Sequence, residues 1–131
     1  MLVMMMSRAF QRHDVIFYER NGLRHGEFTL PFAQGEVQVR ELEWNCDSTV
    51  LALWIASLDQ SQPWSCLQLW TCTNYHWYLK QQYDFGAAEG NGVIVDFRWD
   101  LEDARRVVVA SSEGVIHDYQ VGLAVDRTRG W

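Results

Sequence analysis

The sequence predicts an all-β protein, and three features of the chain carry that prediction. Apolar and polar residues alternate in short runs such as "VQVRELEW" at 37–44, which is the two-residue period of a strand with one covered face. Turn-forming pairs such as Asn21 and Gly22 separate these runs. No stretch carries the apolar period of about 3.6 residues that marks an amphipathic helix. The chain should therefore consist of short strands joined by tight turns.

The first predicted strands form a hairpin. Residues 14–30 read "DVIFYERNGLRHGEFTL", two β-prone runs joined by Asn21-Gly22, a pair that tolerates the positive φ angles of a tight turn. The loop "PFAQGE" precedes the alternating run at 37–44, whose alternation breaks between Val39 and Leu42 and so predicts a bulge. After the turn residues "NCDS", the run "TVLALWIAS" is almost continuously apolar. That pattern is typical of a strand covered on both faces.

The second half of the chain repeats this alternation of strands and turns. The polar loop 58–64 leads into "SCLQLWTC", and "TNYH" turns the chain into "WYLKQQYDF". Beyond the glycine-rich segment 86–92, the runs "VIVDFRWD", "RRVVVAS" and "VIHDYQVGLAV" predict three more strands.

An internal repeat suggests how the strands are arranged. Residues 41–54 and 96–110 both read as a strand, a Trp, an Asn or Asp, a polar turn and an apolar strand, with Trp44 and Trp99 at equivalent places. We expect both Trp side chains to be buried beside the turn that follows them. Four strands per repeat, with a period somewhat above the roughly 40 to 45 residues of a WD40 blade, favour a β-propeller with enlarged loops. A sandwich or jelly roll fits the same pattern and stays open as the alternative.

Composition excludes several functions. The net charge of −6 gives no general attraction for phosphate backbones or anionic lipid, so we expect no direct nucleic-acid binding and no membrane association. Cys46, Cys66 and Cys72 are an odd number at spacings that match no zinc pattern, which favours reduced thiols. The opening "MLVMMMSRAF" is too short for a membrane span and lacks the features of a signal peptide. We expect a cytoplasmic protein, with the nucleus as the alternative location.

The aromatic stretch "LQLWTCTNYHWYLKQ" at 67–81 is the strongest candidate for a binding surface. Trp70, Tyr75, Trp77 and Tyr78 could stack on sugars or bases. Trp77 and Tyr78 are adjacent on a strand, however, and must point to opposite faces. Packing inside a sheet or between blades is the better interpretation, since buried aromatic residues need no further purpose.

No catalytic, cofactor-binding or metal-binding residue is predicted. The four histidines, His13, His25, His76 and His117, lack the spacing that places two ligands on one face. The charged run "DLEDARR" at 100–106 resembles exposed turn charges more than a shielded pair of acids. There is no Gly-x-Ser-x-Gly elbow, no GxGxxG and no phosphate-binding loop. The hypothesis of a small hydrolase rests only on scattered His and Asp residues. The chain is therefore not predicted to be an enzyme.

Three segments resemble the Elongator complex protein 1 family, whose members are the large scaffold subunit of Elongator, also described as the I-kappa-B kinase complex associated protein. They are "VIFYERNGLRHGEFTLPF", "ELEWNCDSTVLALW" and, most specifically, "LQLWTCTNYHWYLKQ". The resemblance covers residues 14–99 well, thins beyond Leu101 and leaves "MLVMMMSRAFQR" unmatched. It implies a fragment of the first WD40-type propeller, with about two to three four-stranded antiparallel blades.

The resemblance also implies a domain layout and a function. Residues 1–13 are expected to be a disordered start, and 14–131 a partial propeller with blade ends at 14–30, a full blade at 36–85 and an incomplete blade at 93–125. The implied function is a non-catalytic scaffold that contacts the second and third Elongator subunits and supports carbon-5 modification of the tRNA wobble uridine. By the same resemblance, we expect the radical S-adenosylmethionine and acetyl-CoA chemistry to belong to the third subunit and the dimerising helices to lie outside this chain. The alternative is an independent propeller-like module that binds peptide or carbohydrate.

Overall fold

The structure, a computed structural model, describes residues 2–8, 12–19, 21–32, 35–122 and 126–130. Those residues form antiparallel strands and turns, which confirms the all-β prediction. They divide into two compact units, Met1–Gln38 and Val39–Trp131. A helix long and apolar enough to span a membrane is not found among these residues.

Eleven strands are present in the described part of the chain. In order they are β1 (Leu2–Arg8), β2 (Arg12–Tyr18), β3 (Arg24–Leu30), β4 (Val37–Trp44), β5 (Leu51–Ser57), β6 (Trp64–Thr73), β7 (His76–Gly86), β8 (Ile94–Trp99), β9 (Arg106–Ser111), β10 (Val115–Gln120) and β11 (Asp126–Gly130).

The N-terminal sheet consists of β1, β2 and β3 as an antiparallel meander. The predicted hairpin at Asn21-Gly22 is confirmed: Gly22 has φ +89°, and its N–H donates to the Glu19 carbonyl at 2.9 Å. Only glycine adopts this φ without steric cost, so the turn type follows from the sequence. In β2, Val15, Ile16 and Phe17 are all buried. Both faces of the central strand of this sheet are therefore covered.

The middle sheet consists of β4, β5, β6 and β7, which lie side by side in chain order. The apolar run predicted to be covered on both faces is β5, where Leu51, Ala52 and Leu53 are fully buried. The C-terminal sheet is built the same way from β8, β9, β10 and β11. Two consecutive four-stranded antiparallel meanders are the repeat expected of propeller blades.

A shared apolar core joins the middle and C-terminal sheets. The rings of Tyr83 on β7 and Tyr119 on β10 stack with centroids 3.6 Å apart. The buried members of this core are Val50, Ala52, Leu67, Leu69, Phe85, Ile94, Phe97, Trp99, Val107, Val109, Tyr119 and Val121. The middle and C-terminal sheets therefore cover a face of each other, which is how propeller blades gain stability.

The predicted equivalence of Trp44 and Trp99 is correct in chain position, since they end β4 and β8, the first strands of their sheets. The prediction that both are buried is wrong. Trp99 is only 6% exposed, within the core between the two sheets, whereas Trp44 is half-buried. The difference arises because only Trp99 has the other sheet of this unit packed against it.

Two segments differ from the predicted layout. We expected residues 1–13 to be disordered, but β1 occupies Leu2–Arg8 and pairs with β2 from Leu2↔Tyr18 to Arg8↔Arg12. We expected an incomplete blade at 93–125, but β11 at Asp126–Gly130 adds a fourth strand by pairing with β10. Neither segment is rich in the β-branched and aromatic residues that mark a strand in sequence. The remaining domain boundaries stay a prediction.

Candidate functional site

The hairpin of β6 and β7, which contains the aromatic stretch, extends past its neighbour in the middle sheet. Its register runs from Trp64↔Gly86 to Thr73↔His76, whereas the pairing of β5 with β6 ends at Leu51↔Trp70. The last three residue pairs of the hairpin, from Thr71↔Tyr78 to Thr73↔His76, thus extend past the part of β6 that pairs with β5. The hairpin presents its tip as a separate surface.

The tip is a two-residue turn in a costly conformation. Asn74 has φ +52° and Tyr75 has φ +67°, which are the signs of the mirror-image turn that suits antiparallel strands. Asn accepts such angles readily, but for a bulky residue like Tyr they are strained by about 1–3 kcal/mol. Tyr75 is also 92% exposed. An aromatic side chain is therefore held in water at a position where glycine would fit better.

The remaining aromatic residues of the stretch divide between the two faces of the hairpin. Trp77 is half-buried, and its ring lies 6.0 Å from that of Trp44. Tyr78, on the opposite face, is 45% exposed. Trp70 is half-buried, so the prediction of sheet packing holds for the two Trp and is wrong for Tyr75 and Tyr78. Tyr75 and Tyr78 lie in the part of the hairpin beyond Leu51, the first residue of β5, where β5 no longer pairs with β6.

A chain of hydrogen bonds stiffens the base of the hairpin. The buried Gln68 donates its side-chain amide to Oε1 of Gln82 at 2.8 Å and accepts the indole N–H of Trp70 at 3.0 Å. Gln82 in turn donates to Oδ1 of Asp84 at 2.6 Å. Satisfied polar networks of this kind hold side chains in one arrangement. The tip therefore rests on a rigid support.

In the turns after Trp44 and Trp99, the side chain of the residue after the Trp accepts backbone N–H groups, at different spacings in the two turns. Oδ1 of Asn45 accepts the N–H groups of Thr49 and Val50, at 2.9 and 3.0 Å. At the equivalent place, Oδ1 of Asp100 accepts two N–H groups of its own turn, both at 2.8 Å. Asn45 also donates to the Ala104 carbonyl at 2.9 Å, which ties one turn to the other.

The charged run 100–106 forms an ion pair network rather than an acid pair. The guanidinium of Arg106 binds both carboxylate oxygens of Asp118 at 3.0 Å and Asp100 at 3.1 Å. The pKa of Arg106 is raised, mainly by its hydrogen bonds to Asp118. Backbone N–H groups of Asp103 and Glu102 lower the pKa of Asp100. Asp100 therefore stays ionised at neutral pH and is unsuited to donate a proton.

The histidines and cysteines whose side chains the structure describes do not assemble into a metal-binding cluster. His13, His76 and His117 lie on β2, β7 and β10, and the side chain of His25 lies outside the described residues. His117 packs edge-on against Phe85, with centroids 5.0 Å apart. Where the structure describes the chain, no three His, Cys, Asp or Glu residues are grouped to hold a metal ion.

The thiol groups differ in their surroundings. Cys46 and Cys72 are exposed, and Cys66 is buried. Burial, followed by the nearby charge of Asp84, raises the pKa of Cys66 to about 12. Its thiol is therefore protonated at neutral pH and a poor nucleophile.

At the end of the middle sheet opposite the hairpin tip, two clefts lie on either side of Trp64. The larger, of about 480 Å³, is lined by Pro63, Trp64, Phe85 and the loop that follows β7. The smaller, of about 290 Å³, shares Pro63 and Trp64 and also contains Arg40. The guanidinium carbon of Arg40 lies 5.4 Å from the centre of the Trp54 ring. The two clefts thus differ in the charge at their walls.

Comparison with known proteins identifies the family. The family model described as ELP1 first N-terminal beta-propeller matches residues 1–121, including residues 1–12, which the resemblance left unmatched. Elongator complex protein 1 of Mus musculus is 52% identical over 92 residues, 68% of this chain and 7% of the relative. The Drosophila melanogaster protein of the same name is 35% identical over 117 residues, 88% of this chain and 9% of the relative.

The similarity extends to fungi and is confined to a small part of each relative. Elongator complex protein 1 of Saccharomyces cerevisiae is 49% identical over 69 residues, 53% of this chain and 4% of the relative. The chain thus spans less than a tenth of the length of these relatives. Consecutive four-stranded antiparallel meanders agree with the matched domain, and the family match favours the propeller over the sandwich and jelly-roll alternatives. The chain belongs to the Elongator complex protein 1 family, as part of its first N-terminal β-propeller.

Proposed function

We propose that this chain is a non-catalytic scaffold segment of Elongator, which supports carbon-5 modification of the tRNA wobble uridine through protein contacts. The partners we propose are the second and third Elongator subunits, in the cytoplasm, with the nucleus as the alternative location. Direct contact with tRNA is not part of the proposal, because the chain carries a net charge of −6.

The observation that carries the proposal is the strained, exposed Tyr75 at the hairpin tip. Tyr75 is held at a positive φ with 92% of its surface in water, so its ring does not stabilise the fold. Tyr and Trp are enriched at protein interfaces because they bury a large area at a low cost in conformational entropy. The neighbouring Tyr78 and Leu79, 45% and 40% exposed, would enlarge such a contact.

The proposal is tested by Tyr75→Gly in Elongator complex protein 1 containing this segment. Glycine suits the positive φ, so the fold is retained and only the aromatic contact is removed. We expect reduced recovery of the second and third subunits and less modified wobble uridine. Leu23→Ser is the matched control, since Leu23 is also an exposed apolar residue beside a hairpin turn, 62% exposed. Unchanged subunit recovery and unchanged tRNA modification in Tyr75→Gly would refute the contact.

A further inference from the structure

The larger cleft beside Trp64 has apolar walls made by two chain segments that approach closely. Gly86 has φ +156°, and a side chain there would bring its Cβ to 3.0 Å from Cβ of Trp64. The absence of that side chain lets the end of β7 approach the start of β6. Phe85 is 1% exposed, and Ala87 and Ala88 continue the apolar lining. The volume of about 480 Å³ lies within the range of about 300–1,000 Å³ for ligand pockets.

The loops around this cleft come together from both sheets of the second unit. The N–H of Val93 donates to Oγ of Ser112 at 2.9 Å, and the N–H of Ser112 donates back to the Val93 carbonyl at 2.8 Å. The N–H of Ile94 donates to Oγ of Ser65 at 2.8 Å. These bonds join the loop 87–93 to the loop 112–114, and β8 to β6, at the end of the unit where the loop 58–63 enters β6.

That end of the unit is acidic. The three loops contain Asp59, Glu89 and Glu113 and no Lys or Arg. Asp84 and Glu89 both line the cleft, which has no basic residue in its wall. Hydrogen bonds from Ser61 lower the pKa of Asp59, so this carboxylate is ionised at neutral pH. An apolar cleft with only carboxylates at its rim favours a ligand with an apolar side chain and adjacent positive charges.

We propose that this cleft binds an extended protein segment in which an apolar side chain is flanked by Lys or Arg. A second copy of this chain is a poor occupant, since each copy carries a net charge of −6. The smaller cleft, with Arg40 in its wall, has a different charge and does not share this preference. This site is distinct from the hairpin tip, so either proposal can fail without the other.

The experiment measures binding of labelled peptides to Elongator complex protein 1 containing this segment, by fluorescence anisotropy. Three short peptides are compared: a central Leu flanked by Lys, the same Leu flanked by Glu, and Lys flanking a central Ser. We expect the Lys-flanked Leu peptide to bind most tightly. Its affinity should fall as the salt concentration is raised, because salt screens the attraction between its Lys residues and the rim carboxylates.

Variants assign the binding to the cleft. Asp84→Asn with Glu89→Gln should weaken binding of the Lys-flanked Leu peptide about tenfold or more, because two rim charges are removed. Ala88→Trp should block the cleft, and its exposed loop position preserves the fold. Glu102→Gln, which removes an exposed charge from the loop after β8, is the matched control and should change nothing.

Three results would overturn the proposal. Equal binding of the Lys-flanked and Glu-flanked peptides would show that the rim carboxylates do not select the ligand. Full binding by Ala88→Trp would show that the peptide binds outside the cleft. Glycan binding that the same variants abolish would assign the cleft to carbohydrate instead. Near-ultraviolet circular dichroism of every variant confirms that a loss of binding is not a loss of fold.

Discussion

The indole N–H of Trp99 donates a hydrogen bond of 3.1 Å to the backbone carbonyl of Glu43, which lies on the first strand of the preceding sheet. The donor ends β8 and the acceptor is the penultimate residue of β4. The Trp99 ring is buried in the core that the two sheets share. One side chain thus supplies both apolar contact and a directional bond between consecutive blades.

Trp99→Ala should destabilise the fold by about 3–5 kcal/mol, because it removes a large buried ring and leaves a cavity. The half-buried Trp44, at the equivalent position, is the control, and Trp44→Ala should lower the free energy of unfolding by a smaller amount. Urea unfolding followed by circular dichroism measures both. Equal losses in the two variants would contradict the difference in burial.

Arg106→Met should destabilise the fold by about 2–3 kcal/mol, because it leaves the carboxylate of Asp118 without its bidentate partner. The Asp118 side chain is only 10% exposed, whereas 40% of the Arg106 side chain remains in solvent, so the loss is smaller than for a fully buried pair. Adding Asp118→Asn should recover part of the loss. A double-mutant cycle measures the coupling, and strictly additive losses would argue against the ion pair.

Asp100→Asn should lower the free energy of unfolding at neutral pH and should make the fold less sensitive to acid. An amide oxygen can accept the two N–H groups of this turn, as Oδ1 of Asn45 does in its own turn, but it carries no charge for Arg106, which binds Oδ2 of Asp100 at 3.1 Å. The folded pKa of Asp100 is lowered from 3.8, so its charge stabilises the fold fully above that value. The contribution is lost as the pH falls below 3.8 through the lowered pKa.

Acid unfolding curves of the wild type and of Asp100→Asn, compared with Glu102→Gln, test this expectation. The wild type and Glu102→Gln should lose stability more steeply at low pH than Asp100→Asn. Identical acid dependence in all three would show that the lowered pKa of Asp100 does not contribute to stability.

Thiol labelling should distinguish the three cysteines. At mildly alkaline pH, Cys46 and Cys72 should react with iodoacetamide, because both are exposed. Cys66 should not react in the folded protein, since it is buried and its pKa is raised to about 12. Mass spectrometry of the peptides, with urea-denatured protein as the control, measures the labelling. Rapid labelling of Cys66 in the folded protein would be inconsistent with this structure.

Tyr75→Gly should leave the free energy of unfolding unchanged or raise it by up to about 1 kcal/mol, because it relieves the strain of a positive φ. Asn-Gly is also the preferred pair for this turn. Tyr75→Val should destabilise, since a β-branched residue fits the same φ poorly. Thermal unfolding of the three proteins provides the measurement, and a lower melting temperature for Tyr75→Gly would rule out strain at the tip.

The sequence by itself determined the class of fold and most of the turns, because these depend on neighbouring residues. Alternation with a two-residue period predicts strands locally, and the positive φ at Gly22 follows from the residue type. The equivalence of Asn45 and Asp100 could likewise be predicted from the repeat, since each side chain caps its own turn.

Only the tertiary structure decided which side chains are covered and which strands are paired. The positions of β1 and β11 depend on hydrogen bonds to β2 and β10, and neither segment has the composition of a strand. Exposure of Tyr75 and Tyr78 depends on where β5 starts, at Leu51, which lies more than twenty residues earlier in the chain. Asp84 and Glu89 likewise line a cleft with Trp64 only because β6 and β7 are paired. Burial and charge clustering are set by contacts between distant segments, and a local pattern does not contain them.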